Sequence, residues 1–304
     1  MMNINNYLKY LDNQKIAIFL LHGVIKEKDN DVRNFNRKHI LSSEFENLLS
    51  RLLDIGTAVS MDDILNFGNG NPMPNKPFAI TFDDGFQNNL TVATPILRKY
   101  QVPATFYVTT DFIDRNLMSW IDRIDWAVEK TSITKIKLPW LTKEISFSSV
   151  ESKVKLLKEI RNKVKYDRSI DTHRLADDIQ KKLNLTLTYS NSSPIDKKLT
   201  WSELKFLSTL PGVTIGGHTH THAVMSFLNE RDLNNEISKS LELIKKNIGI
   251  TSHHYSYPEG LKHCYNNKVI SELKKQGILS CPTAEHGLNE INTNPFELKR
   301  IFVI

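Results

Sequence analysis

The stretch TFDDGFQNN, residues 81–89, places two carboxylates, Asp83 and Asp84, directly after the apolar run 78–80. Like charges in contact are costly unless a cation or hydrogen bonds compensate them. An acid pair at the end of a strand can be a turn or a helix cap. It can also belong to a metal site, because a divalent cation turns the repulsion of the two carboxylates into binding energy.

A second group of metal-binding side chains, HTHTH at residues 218–222, follows Gly216 and Gly217. If a helix begins here, His218 and His222 lie on one face about one turn apart, as two imidazole ligands of one ion should. An isolated HxxxH pattern can also be a surface coincidence. Both groups follow predicted strands, however, and the ends of parallel strands share one face, where active sites sit. Together they predict a catalytic metal site, because two His and one carboxylate leave coordination positions open.

The surrounding sequence is typical of an α/β protein with a parallel sheet. Apolar runs at 16–21, 78–82 and 102–108 predict buried strands, and helical spacing is visible between them. A helix over 200–210 is predicted to begin at the capping box of Thr200 and Glu203. Further predicted elements are helices at 43 onward, 91–100, 233–248 and 269–276, and short strands at 213–215, 255–257 and 301–304.

The charge distribution argues against nucleic-acid binding. The net charge of the 304-residue chain is +6, but residues 131–199 alone carry 15 Lys and Arg against 8 Asp and Glu. No basic and aromatic side chains interleave near either motif, as a nucleic-acid surface would require. We therefore predict one domain over residues 1–304, with a basic helical insertion at about 130–198. Its surface either is simply solvated or faces anionic lipid or an anionic saccharide carrier.

Location is predicted from hydropathy and cysteine usage. No stretch of 18 or more apolar residues predicts a transmembrane helix, and the first residues do not resemble a signal peptide. Cys264 and Cys281 form no CxxC motif and are expected to be reduced thiols. These features predict a cytoplasmic protein, with a peripheral position at the inner membrane face as an alternative.

TFDDG followed by HTxxH resembles the polysaccharide deacetylase family, also called the NodB homology domain or carbohydrate esterase family 4. The resemblance extends over nearly the whole chain apart from residues 130–198. The segments that carry it, in chain order, are LLHGV (20–24), PFAITFDDGFQNN (77–89), VPATFYV (102–108), LTWSELKFL (199–207), YSYPEG (255–260) and LKRIFVI (298–304).

This resemblance implies a distorted (β/α) barrel of about seven parallel strands. It also implies one divalent metal ion, usually zinc, held by Asp84, His218 and His222, although cobalt, nickel or iron would fit the same ligands. Asp83 would be the general base. The metal and a backbone N–H within residues 258–260 would stabilise the oxyanion.

Two positions depart from the family pattern. The late Leu-x-His motif that often supplies the general acid is missing, and His22 at the end of the first strand is our candidate instead. The family often has an Arg two residues before the Pro of YSYPEG, where this chain has Ser256. Arg300 from the last strand is our candidate to replace that Arg beside Asp83.

The predicted substrate-binding residues include Trp120, in a segment that resembles one common among relatives. Its indole could stack on a sugar face or simply pack at the rim of the core. The others come from the YSYPEG segment, namely Tyr257, Pro258 and Glu259.

The resemblance predicts a metal-dependent hydrolase that removes N-acetyl groups from an N-acetylated sugar in a polysaccharide or a cell-surface glycan precursor. That precursor could be lipid-linked or nucleotide-linked. One alternative is a hydrolase of a small non-saccharide amide on the same fold. Another is a non-catalytic carbohydrate-binding relative, which the loss of a metal ligand would mark.

Overall fold

A computed structural model describes residues 2–28, 32–186 and 193–304 of the chain. Its strands are β1 (Ala17–Leu21), β2 (Gly23–Ile25), β3 (His39–Leu41), β4 (Thr57–Ala58), β5 (Pro77–Phe82), β6 (Ala104–Val108), β7 (Lys135–Ile136), β8 (Ile145–Ser146), β9 (Val213–Gly217) and β10 (Ile301–Phe302). Its α-helices are α1 (Asn5–Leu8), α2 (Ser42–Leu53), α3 (Met61–Gly68), α4 (Thr94–Lys99), α5 (Thr110–Asp114), α6 (Trp120–Lys130), α7 (Val150–Tyr166), α8 (Thr172–Lys182), α9 (Trp201–Ser208), α10 (Glu230–Ile248) and α11 (Asn267–Lys275).

The central sheet is parallel and curls towards closure. Its strand order is β10-β1-β5-β6-β9, with β4 paired to the start of β5. Beyond β9, isolated parallel bridges join Gly217 to Tyr255 and His254 to Ser280. The segment after Ser280 is then joined to the residues that precede β10. The Thr283 N–H donates to the Leu298 carbonyl, and the Arg300 N–H donates to the Glu285 carbonyl. The predicted distorted (β/α) barrel of about seven parallel strands is confirmed.

The inner strands form because their sequences are apolar at nearly every position. β1, β5 and β6 are buried along their whole length, as expected of parallel strands that are covered on both faces. Their phenylalanines build the main core, and the rings of Phe82 and Phe106 stack with centroids 5.1 Å apart. This rigid layer fixes the ends of β1, β5, β9 and β10, where the candidate site residues lie.

The helices of the predicted insertion belong to a second hydrophobic cluster, which also includes Val32. Residues of α6, α7 and α8 pack together in it, and the hairpin β7-β8 lies between α6 and α7 in sequence. The cluster starts before residue 130, because Ile121 and Ile124 of α6 belong to it. Residues 187–192 lie outside the described chain. We propose that residues 130–198 are an insertion carried by a single domain over residues 1–304.

Several predicted elements are confirmed, with shifted ends. The capping box of α9 is present, because the Thr200 hydroxyl accepts from the Glu203 N–H at 3.2 Å and the Glu203 carboxylate accepts from the Thr200 N–H at 2.8 Å. The prediction of a strand at 255–257 is wrong, since this segment contributes only the isolated bridge at Tyr255. Cys264 and Cys281 are both free.

No helix in the described ranges combines the length and the apolar character that crossing a membrane requires.

Candidate metal and acid–base site

The acid pair lies at the carboxyl end of β5, where the chain turns sharply. Asp84 and Gly85 both adopt left-handed conformations, with φ of 76° and 77°. Such backbone is uncommon for residues other than glycine and is typical of functional turns. Asp83 and Asp84 are both buried, 4% and 3% exposed, and their carboxylates have different partners.

The two predicted imidazole ligands lie beside Asp84. The Nε2 atoms of His218 and His222 are 3.6 Å and 3.4 Å from the same oxygen, Asp84 Oδ1. One potential ligand atom from each of the three residues lies within 4.8 Å of the others. The Nδ1 atom of His218 is 2.8 Å from the Ser256 carbonyl, which orients Nε2 towards Asp84.

The prediction that a helix begins at His218 is wrong. Thr219 and His222 are in left-handed conformations, with φ of 60° and 64°, and residues 218–222 form an irregular loop. The Glu236 carboxylate of α10 accepts hydrogen bonds from the backbone N–H groups of His220 and Thr221, at 2.9 Å and 2.8 Å. These contacts satisfy the loop backbone without a helix, and they still leave both outer imidazoles facing one carboxylate.

The middle histidine of the motif points elsewhere. His220 Nδ1 is 2.9 Å from the Thr110 hydroxyl, and its Nε2 is 3.7 Å from Asp111. His220 therefore helps to attach the loop to α5 and does not face Asp84.

A divalent metal ion fits the three residues. Asp84 Oδ1 is buried and has no hydrogen-bond partner in the described structure. Leaving such a group unpaired is costly, so it marks a position for an ion. Burial lowers the pKa of His218, which favours the neutral imidazole that binds metals, whereas the Asp84 carboxylate outweighs burial and raises the pKa of His222. Two imidazoles and one carboxylate suit zinc and similar divalent ions.

Asp83 faces Arg300, not the imidazoles. The Nη1 and Nη2 atoms of Arg300 donate to the two oxygens of Asp83 at 2.9 Å and 2.8 Å. Burial would raise the pKa of Asp83, but the guanidinium of Arg300 and the imidazoles of His218 and His22 together outweigh it, and the pKa lies below its ordinary value. Arg300 is fully buried and is held in turn by the Thr283 carbonyl and the Ser256 hydroxyl, at 2.6 Å and 2.8 Å. The carboxylate of Asp83 is therefore kept ionised and fixed in place.

His22 lines the same cavity. Its ring stacks on Phe302 with centroids 6.3 Å apart. Burial lowers the pKa of His22 to about 4, although the nearby carboxylates of Asp84 and Asp83 act in the other direction. The imidazole is therefore neutral near pH 7.

The carboxylates and imidazoles line one cavity of about 310 Å³. Of the predicted substrate-binding residues, Trp120, Tyr257 and Glu259 line it, and Pro258 does not. The carbonyl of Pro258 instead accepts from the Gly260 N–H at 2.7 Å, in a tight turn that presents Glu259 to the cavity. Lining residues outside the predicted set include Asn36, Lys38, Arg161 and Phe302.

Comparison with protein families gives a match over most of the chain. The family described as polysaccharide deacetylase matches residues 70–168 and 176–280. This match confirms the predicted resemblance. A comparison with curated proteins found no significant match.

Solved structures of similar fold cover nearly the same length. The deacetylase PplD from Streptococcus pyogenes, solved with acetate, is 16% identical, with a TM-score of 0.61 over 95% of this chain and 92% of that one. IcaB from Ammonifex degensii is 16% identical, with a TM-score of 0.62 over 97% and 94%. The deacetylase domain of BpsB from Bordetella bronchiseptica is 16% identical, with a TM-score of 0.57 over 96% and 97%. At this identity the likeness shows a shared fold.

Proposed function

This chain belongs to the polysaccharide deacetylase family, and from that premise we propose that it is a metal-dependent hydrolase. Its proposed reaction removes the N-acetyl group from an N-acetylated sugar in a polysaccharide or glycan precursor. One observation carries the proposal. Adjacent carboxylates have separate partners, because Asp84 Oδ1 faces two imidazoles while Asp83 is bound to Arg300.

The proposed metal ligands are Asp84, His218 and His222. A divalent ion held there would lower the pKa of a water molecule and polarise the acetamide carbonyl. Zinc is our first choice, and cobalt, nickel and iron suit the same donors.

Asp83 is the proposed general base. It is ionised, buried and fixed by two hydrogen bonds from Arg300, so it can accept a proton from the attacking water without reorienting. Arg300 touches neither water nor substrate in this scheme. Its role is to position Asp83 and to keep the pKa of Asp83 low, as an Arg does in family members that carry it where this chain has Ser256.

His22 is the proposed general acid for the departing sugar amine. A neutral imidazole is a poor proton donor, so His22 has to take up a proton from solvent before it donates one to the amine, and its pKa of about 4 has to rise during the reaction. Negative charge that develops on the acetamide oxygen would raise it, because a nearby anion favours the protonated imidazole.

The remaining lining residues suit a saccharide. Trp120 from α6, whose indole has a flat apolar face, lines the cavity together with Tyr257 and Glu259. Sugar rings commonly pack on such faces while hydroxyls are bound by polar groups. A backbone N–H within residues 258–260 is our candidate for the oxyanion donor, and Pro258 shapes that turn.

We further propose a cytoplasmic location, with a peripheral position at the inner membrane face as the alternative, and a lipid-linked or nucleotide-linked substrate. This finer proposal rests on the excess positive charge of residues 131–199, where 15 Lys and Arg oppose 8 Asp and Glu. Anionic carriers or headgroups would be attracted to such a surface.

Acetate release tests the proposed reaction. Protein reconstituted with zinc is incubated with N-acetylated mono- and oligosaccharides, for which released acetate is measured. In parallel it is incubated with small linear and cyclic amides, for which loss of the amide is measured. We expect acetate from a saccharide with wild type and with Asp54→Asn, a surface control. Asp83→Asn should retain metal and release at least about 100-fold less acetate per unit time. Hydrolysis of only the small amides would replace the saccharide proposal with the alternative substrate class.

A further inference from the structure

We propose that Lys38 is a positioning residue for Asp84, and that Asp122 of α6 holds Lys38 in place. The inference rests on the metal site of the proposed function. It extends that site to two residues that no sequence motif marks, and it gives helix α6 a part in metal binding.

The two oxygens of Asp84 face different partners. Asp84 Oδ1 points towards the imidazoles of His218 and His222, whereas Asp84 Oδ2 is 2.9 Å from the Nζ atom of Lys38. The side chain of Lys38 is only 14% exposed and so is largely shielded from competing water. Charge-assisted hydrogen bonds of this kind are strong and directional. Lys38 therefore leaves a single oxygen of Asp84 available to an ion.

Lys38 is itself fixed from the side of α6. Its Nζ atom is 3.4 Å from Asp122 Oδ1 and 4.8 Å from the centre of the Phe86 ring. The other oxygen of Asp122 lies 3.6 Å from the Nζ atom of Lys198, which is fully buried and 3.3 Å from the centre of the same ring. Both ammonium groups thus share one carboxylate and one aromatic ring. This arrangement restricts Lys38 far more than a surface lysine is restricted.

Charge and positioning predict opposite effects of removing Lys38. A cation beside a metal site repels the ion, so charge alone predicts tighter metal binding once Lys38 is neutral. Partners that orient a metal ligand act in the other direction, and their loss typically weakens metal binding by about 10- to 100-fold. We expect positioning to dominate, because Asp84 would otherwise be free to rotate or to bind the ion with both oxygens.

Cobalt binding to the full chain distinguishes the two effects. Chelator-stripped wild type, Lys38→Met and Lys38→Gln are titrated with Co²⁺, and both the dissociation constant and the visible absorbance are recorded. Both variants are neutral, but only glutamine can donate a hydrogen bond to Asp84. Lys99→Met is the matched control, because it removes a lysine–carboxylate contact of 2.5 Å with Glu46 on the surface.

We expect Lys38→Met to weaken Co²⁺ binding by about 10- to 100-fold. Its absorbance per bound Co²⁺ should also fall, because a second Asp84 oxygen raises the coordination number and weakens the absorption of a tetrahedral site. Lys38→Gln should lie between Lys38→Met and wild type, and Lys99→Met should match wild type.

Binding by Lys38→Met that equals or exceeds that of wild type would overturn the inference. If Lys38→Met does not fold, Co²⁺ binding by Lys38→Gln still distinguishes the two effects. Loss of charge alone predicts that Lys38→Gln binds Co²⁺ more tightly than wild type, and loss of positioning does not. Failure of wild type to bind Co²⁺ would overturn the metal site and this inference together, whereas normal binding by wild type and Lys38→Met alike overturns only the inference.

Discussion

Replacing Arg300 with methionine removes the cation that compensates the buried carboxylate of Asp83. Methionine fills a similar volume but offers no donor. Two hydrogen bonds to Asp83, at 2.9 Å and 2.8 Å, are lost, and the Ser256 hydroxyl and the Thr283 carbonyl each lose a partner. The carboxylate is left ionised and only 4% exposed.

The expected cost follows from this uncompensated charge. Removing one partner of a buried ion pair typically costs about 3–5 kcal/mol. Whole domains are stable by only about 5–15 kcal/mol, so Arg300→Met should be folded but close to the limit. Asp83→Asn in the Arg300→Met background removes the stranded charge and should restore about 2–3 kcal/mol.

Urea unfolding of chelator-stripped protein at pH 7 measures these differences. Wild type, both single variants and the double variant form a thermodynamic cycle that isolates the coupling between residues 83 and 300. The loss in Arg300→Met should shrink as the pH falls, since protonation neutralises the stranded carboxylate. A cost below about 1 kcal/mol, typical of surface pairs, would refute the reasoning, as would a double variant less stable than Arg300→Met alone.

Three further predictions concern packing, titration and substrate binding. Gly217→Ala should lower the free energy of unfolding by about 1–3 kcal/mol in urea titrations, because the new Cβ would lie 2.3 Å from the Tyr255 ring. Burial raises the pKa of Asp125 from 3.8 to about 6, so protonated Asp125 stabilises the folded state. This contribution to the free energy of unfolding is complete below pH 3.8 and is lost as the pH rises through 6. The stability of wild type relative to Asp125→Asn should therefore fall over that interval in parallel thermal unfolding series. Trp120→Ala should raise KM for a saccharide about 10-fold with a smaller change in kcat, measured by steady-state acetate release.

The barrel was predictable because its signals are local. Strands β1, β5 and β6 are short apolar runs, and α9 begins at a capping box whose residues are three apart. Each of these patterns reflects the burial or hydrogen bonding of neighbouring residues. The ends of β1, β5, β9 and β10 then follow from the order of the parallel strands.

The loop at residues 218–222 was mispredicted because its shape depends on distant groups. The helical spacing of His218 and His222 suggested one turn of helix. Instead, the Glu236 carboxylate accepts a hydrogen bond from the His220 N–H. The Tyr255 hydroxyl accepts one from the Thr219 N–H at 2.9 Å. Nothing in the spacing of the histidines indicates these partners.

The surroundings of Asp84 were missed for a similar reason. Lys38 precedes β3 and Asp122 lies in α6, and neither residue belongs to a recognisable pattern. Only the folded chain brings their charges to Asp84.

Arg300 could be suggested from sequence because this chain has Ser256 where the family often has an Arg. In the structure, the guanidinium of Arg300 donates to Asp83.

Titrating zinc into chelator-stripped protein tests the division of labour between Asp83 and Asp84 most directly. Bound zinc and acetate release are measured in the same samples, with the saccharide that is hydrolysed fastest. Acetate release should rise with zinc and stop rising at one equivalent per chain, and Asp83→Asn should bind that equivalent and remain inactive. Release that persists in stripped wild type, or release at the wild-type rate from Asp83→Asn, would contradict the account.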